Sequence, residues 1–481
     1  MALPSPVLLV AALAAPAPQD PPEPPPNVLL IYTDDQGYRD LGVYGAEGFT
    51  TPHLDGLARD GIKFDSFYVS QATCTSSRTS IRTGCYANRL GVMGALGPSS
   101  KVGLHEDEET LAELLREAGY ATGFVGKWHT GHQPEFLPTR HGYDEWFGLP
   151  YSNDMWPVDY DGVRVSGEHR KTRWPPLPLM DGDEVIQILW TLEDQAGLTR
   201  RYTDRALAFL EREAPRGPFF LELAHSMPHV PLGTPRGEGW TTEYGPYGDV
   251  IEEIDSCTGE LLAALEDLGV AERTLVIFTS DNGPWLNYGD HAGSALPLKE
   301  GKGTMWEGGC RVPCLMRLPG VIPPGSVSEG IASTIDLLPT IAALCGARAP
   351  TLPIDGLDLT AHLRDPSSPS PRSEFWYYYN RQLQAVRQGR WKLHLPHSYR
   401  TYERLEPGKD GYPGPTRTGR VSTALFDLEA DPGERRDVAD QHPRVVERLS
   451  ALAAAARDEL GDKGRKGAGQ REPARHQADD E

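Results

Sequence analysis

Asn27-Val-Leu-Leu-Ile-Tyr-Thr-Asp-Asp-Gln-Gly37 joins an unbroken apolar run to two adjacent carboxylates. A short apolar run of this kind is typical of a strand that is buried on both faces, as in a parallel sheet. Asp34 and Asp35 follow the run directly, so we expect them at the C-terminal end of that strand. The stretch therefore predicts an α/β fold with polar groups at one edge of its sheet.

The same arrangement recurs three times along the chain. Apolar runs at residues 121–125, 218–224 and 274–280 lead into Gly126-Lys-Trp-His129, His225 and Asp281-Asn-Gly283, respectively. Because parallel strands bring their C-terminal ends to one edge of a sheet, we expect these polar residues to lie near Asp34 and Asp35. The four runs predict one mainly parallel sheet with a functional site along that edge.

Segments with helical spacing of apolar residues alternate with the predicted strands. They lie at residues 111–118, 250–265 and 334–344. Such alternation is typical of a three-layer α/β/α domain. We expect this domain to span residues 27–365 and to contain a large, mainly parallel mixed sheet.

The sequence changes character after the Pro- and Ser-rich segment 365–371. Short runs predict antiparallel strands at residues 374–379, 383–387, 391–394 and 424–428. Residues 442–460 have the spacing of one amphipathic helix. We therefore expect a small C-terminal α+β subdomain with an antiparallel sheet at residues 366–460, and a disordered polar tail at 461–481.

The N-terminus has the features of a leader. An apolar run at residues 7–15 is too short to span a bilayer and ends near the A-x-A-like site at 15–17. We expect a signal peptide at residues 1–17 and a Pro-rich spacer at 18–26, which predicts a periplasmic or secreted protein. Since no Lys or Arg precedes the run, a leader that stays attached is the alternative.

The 481-residue chain carries a formal net charge of −21. This excess of negative charge argues against nucleic acid or an anionic membrane surface as a partner. Beyond the leader the sequence has no apolar stretch long enough to cross a membrane, so we expect no membrane insertion after the leader is removed. An anionic substrate would require Lys, Arg and His to be concentrated locally.

The cysteines stand at positions 74, 85, 257, 310, 314 and 345. The chain has no C-x-x-C pair, which argues against a structural zinc site. Cys310 and Cys314 are close in sequence and pair only if the backbone gives them the right geometry. Their pairing is left open by the sequence.

Cys74-Thr-Ser-Ser-Arg78, continued through Thr83-Gly84, places one cysteine among hydroxyl residues. On a helix, Cys74 and Arg78 would lie on the same face and share one pocket. The Ser and Thr residues favour a helix N-terminus, where free N–H groups face a negatively charged group. A buried structural cysteine beside a helix cap is the simpler alternative.

The polar groups after the predicted strands suit a metal. Asp34, Asp35, Asp281 and Asn282 form an oxygen-only ligand set, which favours Ca²⁺ or Mg²⁺ over zinc. Adjacent carboxylates after a strand are also common turn residues, which is the alternative for Asp34 and Asp35.

Residues 74–84 resemble the signature of type I sulfatases, C-x-P-S-R followed by T-G, with Ser76 where the family most often has Pro. Residues 126–131 resemble the family string G-K-W-H-x-G, and residues 301–313 resemble G-K-G-T-x-W-E-G-G-x-R-x-P. Residues 151–154 resemble the branch that contains arylsulfatase A and N-acetylgalactosamine-6-sulfatase. The resemblance places the chain in the alkaline phosphatase superfamily and extends from about residue 27 to 320.

The resemblance implies that a formylglycine-generating enzyme oxidises Cys74 to formylglycine, whose hydrate is the nucleophile. It also implies one bound divalent cation, Ca²⁺ rather than Mg²⁺, with residue 74 as a further ligand. His229 and Lys302 would hold the sulfate, and Ser152 would contact the substrate. The implied catalytic set is Cys74, Arg78, Lys127, His129, His229 and Lys302, and the implied metal ligands are Asp34, Asp35, Cys74, Asp281 and Asn282.

The function implied by the resemblance is hydrolysis of a sulfate ester on a sulfated small molecule or glycan. A phosphate mono- or diester hydrolase with the same site is one alternative. A sulfoglycan-binding protein without turnover is another, if Ser76 prevents conversion of Cys74. Trp146, Trp156 and Trp174 are either a sugar-binding rim or packing anchors.

Overall fold

The computed structural model describes residues 24–233 and 241–477. The predicted signal peptide and most of the spacer lie outside the described residues, as do residues 478–481. The chain forms a large sheet between two helical layers, followed by a small antiparallel sheet.

The strands, numbered in chain order, are β1 (Asn27–Thr33), β2 (Ile62–Phe64), β3 (Phe67–Tyr68), β4 (Val102–Gly103), β5 (Ala121–Lys127), β6 (Glu145–Leu149), β7 (Leu177–Asp181), β8 (Glu184–Leu189), β9 (Phe219–Ala224), β10 (Thr274–Ser280), β11 (Cys314–Arg317), β12 (Ser326–Ser328), β13 (Ala332–Ser333), β14 (Glu374–Tyr379), β15 (Gln382–Gln388), β16 (Trp391–His394), β17 (His397–Thr401), β18 (Arg417–Val421), β19 (Ala424–Asp427) and β20 (Ala474–Arg475).

The α-helices are α1 (Pro52–Arg59), α2 (Cys74–Thr83), α3 (Ala87–Leu90), α4 (Leu111–Glu117), α5 (Leu192–Ala196), α6 (Leu198–Glu213), α7 (Pro246–Asp267), α8 (Glu307–Cys310), α9 (Leu337–Leu344), α10 (Thr360–Arg364) and α11 (Pro443–Leu460). Short 3₁₀ helices lie at Gly42–Tyr44, Pro134–Phe136, Pro138–Arg140, Arg170–Arg173, Ala271–Arg273, Leu286–His291, Thr334–Asp336 and Ala439–Gln441.

The main sheet has ten strands within the described ranges, in the order β12-β2-β11-β10-β1-β9-β5-β6-β7-β8. Its centre, β10-β1-β9-β5-β6, is parallel throughout. Antiparallel pairs flank this centre, between β10 and β11 on one side and between β6 and β7 on the other. The prediction of a large, mainly parallel mixed sheet is confirmed.

The central strand β1 divides its side chains between two hydrophobic cores. Val28, Leu30 and Tyr32 enter the core that also contains residues of α2, α4 and α9. Leu29 and Ile31 enter the opposite core, with residues of α1, α6 and α7. This alternation follows from the two-residue period of a strand, and it confirms the three-layer α/β/α architecture.

The C-terminal region forms the antiparallel sheet β14-β15-β16-β19, with α11 packed against β15 and β16. Phe375, Tyr377 and Leu393 belong to the same hydrophobic core as α2 and α9. The α+β subdomain is therefore present as predicted, and it continues the core of the large domain.

The expectation of a disordered tail from residue 461 is wrong for residues 461–477. Strand β20 pairs with β4 of the large domain. Arg471 donates to both carboxylate oxygens of Glu108, at 2.7 Å each. The polar composition suggested disorder, but Arg471 of this segment pairs with a carboxylate that is far away in the sequence.

All six cysteines are buried and free, so Cys310 and Cys314 do not pair. The helices predicted at 111–118 and 250–265 correspond to α4 and to the longer α7. The helix predicted at 334–344 begins with a 3₁₀ turn, Thr334–Asp336, before α9.

Gly126 lies at the end of β5 with a φ of +116°, where an added Cβ would be 1.9 Å from the carbonyl oxygen of Ala224. We predict that Gly126→Ala lowers the free energy of unfolding by about 2–4 kcal/mol, because left-handed backbone strain and a backbone clash add together. Chemical denaturation monitored by circular dichroism measures this loss.

Gly119→Ala is the matched control, because Gly119 also has a positive φ of +89° but no atom lies within 4 Å of its added Cβ. We expect Gly119→Ala to lower the free energy of unfolding by only about 1–2 kcal/mol, which is the cost of the backbone strain without a clash. Equal losses in both variants would show that the close approach of β5 and β9 does not require glycine.

Candidate active site

The carboxyl ends of β1 and β10 bring the predicted acidic residues together. Thr33 is paired with Ser280 in register, so Asp34-Asp35 and Asp281-Asn282 emerge side by side. The Asp35 N–H donates to Asp281 Oδ1 at 3.3 Å, and Asn282 Nδ2 donates to Asp35 Oδ1 at 2.6 Å. All four residues are buried.

Cys74 opens helix α2 beside these carboxylates. Its thiol donates to Asp34 Oδ1 at 3.7 Å, and the side chain is 2% exposed. Ser76, in the third position of the helix, accepts the N–H of Gly94 at 2.7 Å and donates to Gln71 Oε1 at 3.1 Å. The helix predicted from the hydroxyl-rich stretch is present, and its first residue faces the sheet edge.

Arg78, one turn further along α2, joins the two acidic strand ends. Its Nε donates to Asp281 Oδ2 at 2.8 Å, and its Nη2 donates to Asp34 Oδ2 at 3.0 Å. A further bond runs from Nη1 to the carbonyl oxygen of Lys127. All three charged side chains are fully buried. The guanidinium therefore fixes α2 against β1 and β10.

Lys127, the last residue of β5, reaches the same carboxylate. Its Nζ donates to Asp34 Oδ2 and to Ser152 Oγ, the latter at 3.0 Å. Ser152 is buried and also lines the cavity above Cys74. Ser152, which the sequence predicts to contact the substrate, therefore lies at the site. It also orients Lys127.

Lys302 and His229 approach from the opposite side, at Asp35. Lys302 Nζ lies 2.8 Å from Asp35 Oδ2 and 4.5 Å from the centre of the Trp285 ring. His229 Nε2 lies 3.7 Å from Asp35 Oδ2. His229 Nδ1 contacts the Val230 carbonyl oxygen at 2.6 Å, which assigns the proton of the neutral ring to Nδ1.

His129 follows β5 and turns over the cavity. Its Nε2 lies 2.9 Å from the Leu96 carbonyl oxygen and therefore carries the proton of the neutral ring. Its buried Nδ1 has no hydrogen-bond partner among the described residues. His129 has a φ of +59°, an unfavourable backbone conformation of the kind that clusters at functional sites.

His225, which follows β9, is buried but does not line the cavity above Cys74. Its N–H donates to the Tyr32 carbonyl oxygen at 2.9 Å, and its own carbonyl oxygen accepts from Arg78 at 3.5 Å. The choice of His229 over His225 as the residue that faces the substrate agrees with this placement.

Burial and neighbouring charges shift the pKa values of Asp34 and Asp35 in opposite directions. Burial raises the pKa of Asp34, but Lys127 and Arg78 outweigh it and hold the pKa well below its usual range. Burial raises the pKa of Asp35 to about 7, with Asp34 and Asp281 adding to the effect and Lys302 opposing it. Asp34 is therefore ionised and paired with cations of the protein, whereas the ionisation of Asp35 depends more strongly on the charges around it.

The same burial makes the free thiol unreactive. Burial, with Asp34 next in importance, raises the pKa of Cys74 to about 12. Burial, followed by Lys302, lowers the pKa of His229 to about 3, and burial holds the pKa of His129 well below its usual value. At neutral pH the thiol is thus protonated and both imidazoles are neutral, so an unmodified Cys74 is a poor nucleophile.

A cavity of about 290 Å³ opens above Cys74. Besides the predicted residues it is lined by side chains that the sequence did not single out: Asp154, Met155, Trp285, Tyr379, Asn380 and Arg400. They come from loops and from the C-terminal subdomain, and apart from Asp154, which ends the segment 151–154, they belong to none of the motifs. Of the three predicted rim tryptophans, Trp146 and Trp156 are buried in the cores, and Trp174 lines an adjoining cavity.

The donor atoms fit a hard divalent cation. Ligand atoms of Asp34, Asp35, Cys74 and His229 all lie within 4.8 Å of one another. Asn282 Oδ1 is buried without a hydrogen-bond partner among the residues that the structure describes. An unpartnered amide oxygen beside several carboxylates suits Ca²⁺ or Mg²⁺, which prefer oxygen ligands.

Comparisons with known proteins agree with this geometry. Residues 26–347 match the sulfatase family, and residues 370–471 match the C-terminal region of aryl-sulfatase. Arylsulfatase A from Bos taurus is 39% identical over 89% of this chain and 86% of its own length. N-acetylgalactosamine-6-sulfatase from Canis lupus familiaris is 38% identical over 89% of this chain and 84% of its own length.

A solved structure, the PsFucS1 sulfatase from Pseudoalteromonas sp., superposes with a TM-score of 0.80 at 29% identity. The match covers 90% of this chain and 89% of that one. The similarity therefore includes both the large domain and the C-terminal subdomain.

We predict that Arg78→Met lowers the free energy of unfolding by about 3–5 kcal/mol, because Asp34 and Asp281 then remain buried without the guanidinium. Urea denaturation measures the loss. Arg59→Met is the control, since Arg59 pairs with Asp60 on the surface, and we expect it to leave the stability essentially unchanged. A similar loss in the two variants would contradict the role assigned to Arg78.

Proposed function

The chain belongs to the sulfatase family, and from that premise we propose that it hydrolyses sulfate esters of carbohydrates with a formylglycine made from Cys74 and one bound Ca²⁺. The observation that carries the proposal is the position of Cys74, which lies at the base of a cavity between Asp34 and the cationic side chains of Lys302 and Lys127. Membership of a family of sulfate-ester hydrolases and a cavity wall that contains Lys302 and Arg400 support one another.

Modification of Cys74 suits its surroundings. The thiol is buried and its pKa is raised to about 12, so it would not attack sulfur at neutral pH. Because the side chain is 2% exposed in the folded chain, we propose that the formylglycine-generating enzyme acts before the domain closes. Ser76, the departure from the family signature, forms hydrogen bonds with Gln71 and Gly94, which lie outside the helix.

Hydrated formylglycine would supply a nucleophilic hydroxyl and a second hydroxyl that allows sulfate to leave, and Ca²⁺ would supply positive charge beside them. Asp34, Asp35, Asp281 and Asn282 would hold the cation. The pairing of Arg78 with Asp34 and Asp281 keeps these carboxylates in place. Preorganised charge of this kind is a large part of catalysis in buried sites.

Lys302 and His229 would hold the sulfate oxygens. Both lie on the Asp35 side of the cavity, and both line it. His229 presents an unprotonated Nε2, so it must take up a proton, favoured by the negative sulfate, before it protonates the leaving oxygen.

His129 is suited to accept a proton, whereas His229 would donate one. Its Nε2–H is held by the Leu96 carbonyl oxygen, which leaves Nδ1 as an unpartnered acceptor among the described residues. A neutral imidazole with a free lone pair is a competent general base. We assign His129 to removal of the proton from residue 74 in the step that releases sulfate.

The substrate class and the location extend the proposal. A relative named N-acetylgalactosamine-6-sulfatase and the tryptophan at 285 in the cavity wall support a sulfated sugar. Within the described ranges no helix is long and apolar enough to cross a bilayer. The predicted signal peptide supports a periplasmic or secreted enzyme.

We predict that the protein produced with a formylglycine-generating enzyme carries an aldehyde at residue 74 and hydrolyses an aryl sulfate, whereas Cys74→Ala is inactive. Peptide mass spectrometry across residues 71–78 detects the modification, and release of the phenol measures turnover. Turnover with an intact thiol would contradict the proposal. Faster turnover of the matched aryl phosphate would favour the phosphatase alternative, and no turnover despite the aldehyde would favour a binding protein.

We also predict that Asp281→Ala loses both bound Ca²⁺ and activity, because a ligand and the partner of Arg78 are removed together. Metal content after dialysis is measured by atomic emission, and circular dichroism reports whether the variant is folded. Asp267→Ala, a change at an exposed carboxylate at the end of α7, is the control and should retain both. A folded, active, metal-bearing Asp281→Ala protein would refute the ligand assignment.

A further inference from the structure

A second cavity adjoins the one above Cys74. It is lined by Arg170, Lys171 and Arg173 of the 3₁₀ helix Arg170–Arg173, together with Trp174 and Tyr288. We call it the basic cavity. It shares three wall residues with the cavity above Cys74: Asp154, Trp285 and Arg400.

The two cavities adjoin one another at their shared wall residues. Each has a volume of about 290 Å³. Ligand sites typically have volumes of roughly 300–1,000 Å³, and the two cavities together fall well within that range. A substrate bound at residue 74 can therefore extend past the shared wall residues into the basic cavity.

The charge of the basic cavity is opposite to that of the protein. Four cationic side chains and one carboxylate line it, in a chain with a net charge of −21. Among the described residues, no carboxylate oxygen lies within 4.0 Å of the charged nitrogens of Arg170, Arg173 or Arg400. The cavity therefore concentrates positive charge that the protein itself leaves without close counterions.

Lys171 also favours the binding of an anion in the basic cavity. It is 4% exposed, and its Nζ donates to the Val158 carbonyl oxygen at 2.7 Å and lies 4.1 Å from the centre of the Tyr160 ring. Neither contact carries a full negative charge. Asp154 and Asp159 stabilise the ammonium group from a distance, but neither forms a direct ion pair with it. Because a buried ammonium group without a direct ion pair is costly, an anionic ligand in this cavity would be stabilised.

The wall shared by the two cavities suits a sugar ring. Trp285 lies between Lys302 and Tyr288, with ring centres of Trp285 and Tyr288 4.8 Å apart. Asp154 Oδ1 is buried and has no hydrogen-bond partner in the described part of the chain. An aromatic face and an unused acceptor are the groups that bind the apolar face and a hydroxyl of a sugar.

We propose that the basic cavity binds a second anionic group of the substrate, so that the preferred substrates are sugars that carry another sulfate ester or a uronate carboxylate near the scissile sulfate. The inference rests on the proposed function, because it takes residue 74 as the site of hydrolysis. Arg170, Lys171 and Arg173 select the second anion, and the shared wall positions the sugar between the two anionic groups.

Binding to the full-length Cys74→Ala protein tests this inference without turnover. Calorimetry compares N-acetylgalactosamine 6-sulfate with the 4,6-disulfate and with a disaccharide that joins the 6-sulfated sugar to glucuronate. We expect at least one doubly anionic ligand to bind about tenfold or more tightly than the monosulfate. A tighter disulfate identifies a sulfate as the second anion, and a tighter disaccharide identifies a carboxylate.

The preference should disappear when Arg170→Gln and Arg173→Gln are combined, since both side chains line only the basic cavity. Arg164→Gln is the matched control, because Arg164 stacks on Trp190 nearby and lines neither cavity. In the protein with Cys74 intact, the combined variant should hydrolyse a singly charged aryl sulfate at the wild-type rate within about twofold. The effect of the combined change should also weaken with added salt.

Equal binding of the singly and doubly anionic ligands would overturn the inference, as would a preference that survives in the combined variant. Either result leaves the proposed function intact if the aryl sulfate is hydrolysed. Conversely, failure to hydrolyse any sulfate ester would remove the proposed function, while binding to Cys74→Ala would still decide whether the basic cavity selects a second anion.

Discussion

The structure depends on a buried ion pair network that joins one helix to two strand ends. Arg78 of α2 contacts Asp34 after β1 and Asp281 after β10, and all three side chains are fully buried. Charges buried in this way are tolerated only when each has its partner. The network therefore holds the N-terminus of α2, and with it Cys74, at one fixed position on the edge of the sheet.

The distribution of cations around this network separates structural from chemical roles. Arg78 and Lys127 both contact Asp34 and keep it ionised. Lys302 and His229 lie instead at Asp35 and line the cavity. The cations that pair with Asp34 are thus distinct from Lys302, which lines the cavity together with the neutral imidazole of His229, so the cavity keeps a cationic side chain although the chain as a whole is acidic.

The C-terminal subdomain completes the site. Lys392 on β16 is fully buried and contacts Glu307 of α8 at 3.0 Å and Glu434 at 2.9 Å. This contact and the shared hydrophobic core hold the small sheet against the large domain. As a result Tyr379, at the end of β14, and Arg400, on β17, reach the cavity above Cys74. The cavity above Cys74 is therefore lined by residues from both parts of the chain.

The sequence by itself determined the parallel sheet, the edge at which Asp34 and Asp281 meet, and the position of Cys74 at a helix start. These features arise from short-range patterns, because strand and helix periods are local and parallel strands always end at the same edge. Only the tertiary structure decided that residues 461–477 fold back through Arg471, that Trp146 is buried, and that Arg173 and Arg400 share one site. Those outcomes depend on contacts between segments far apart in the chain, which no local pattern records.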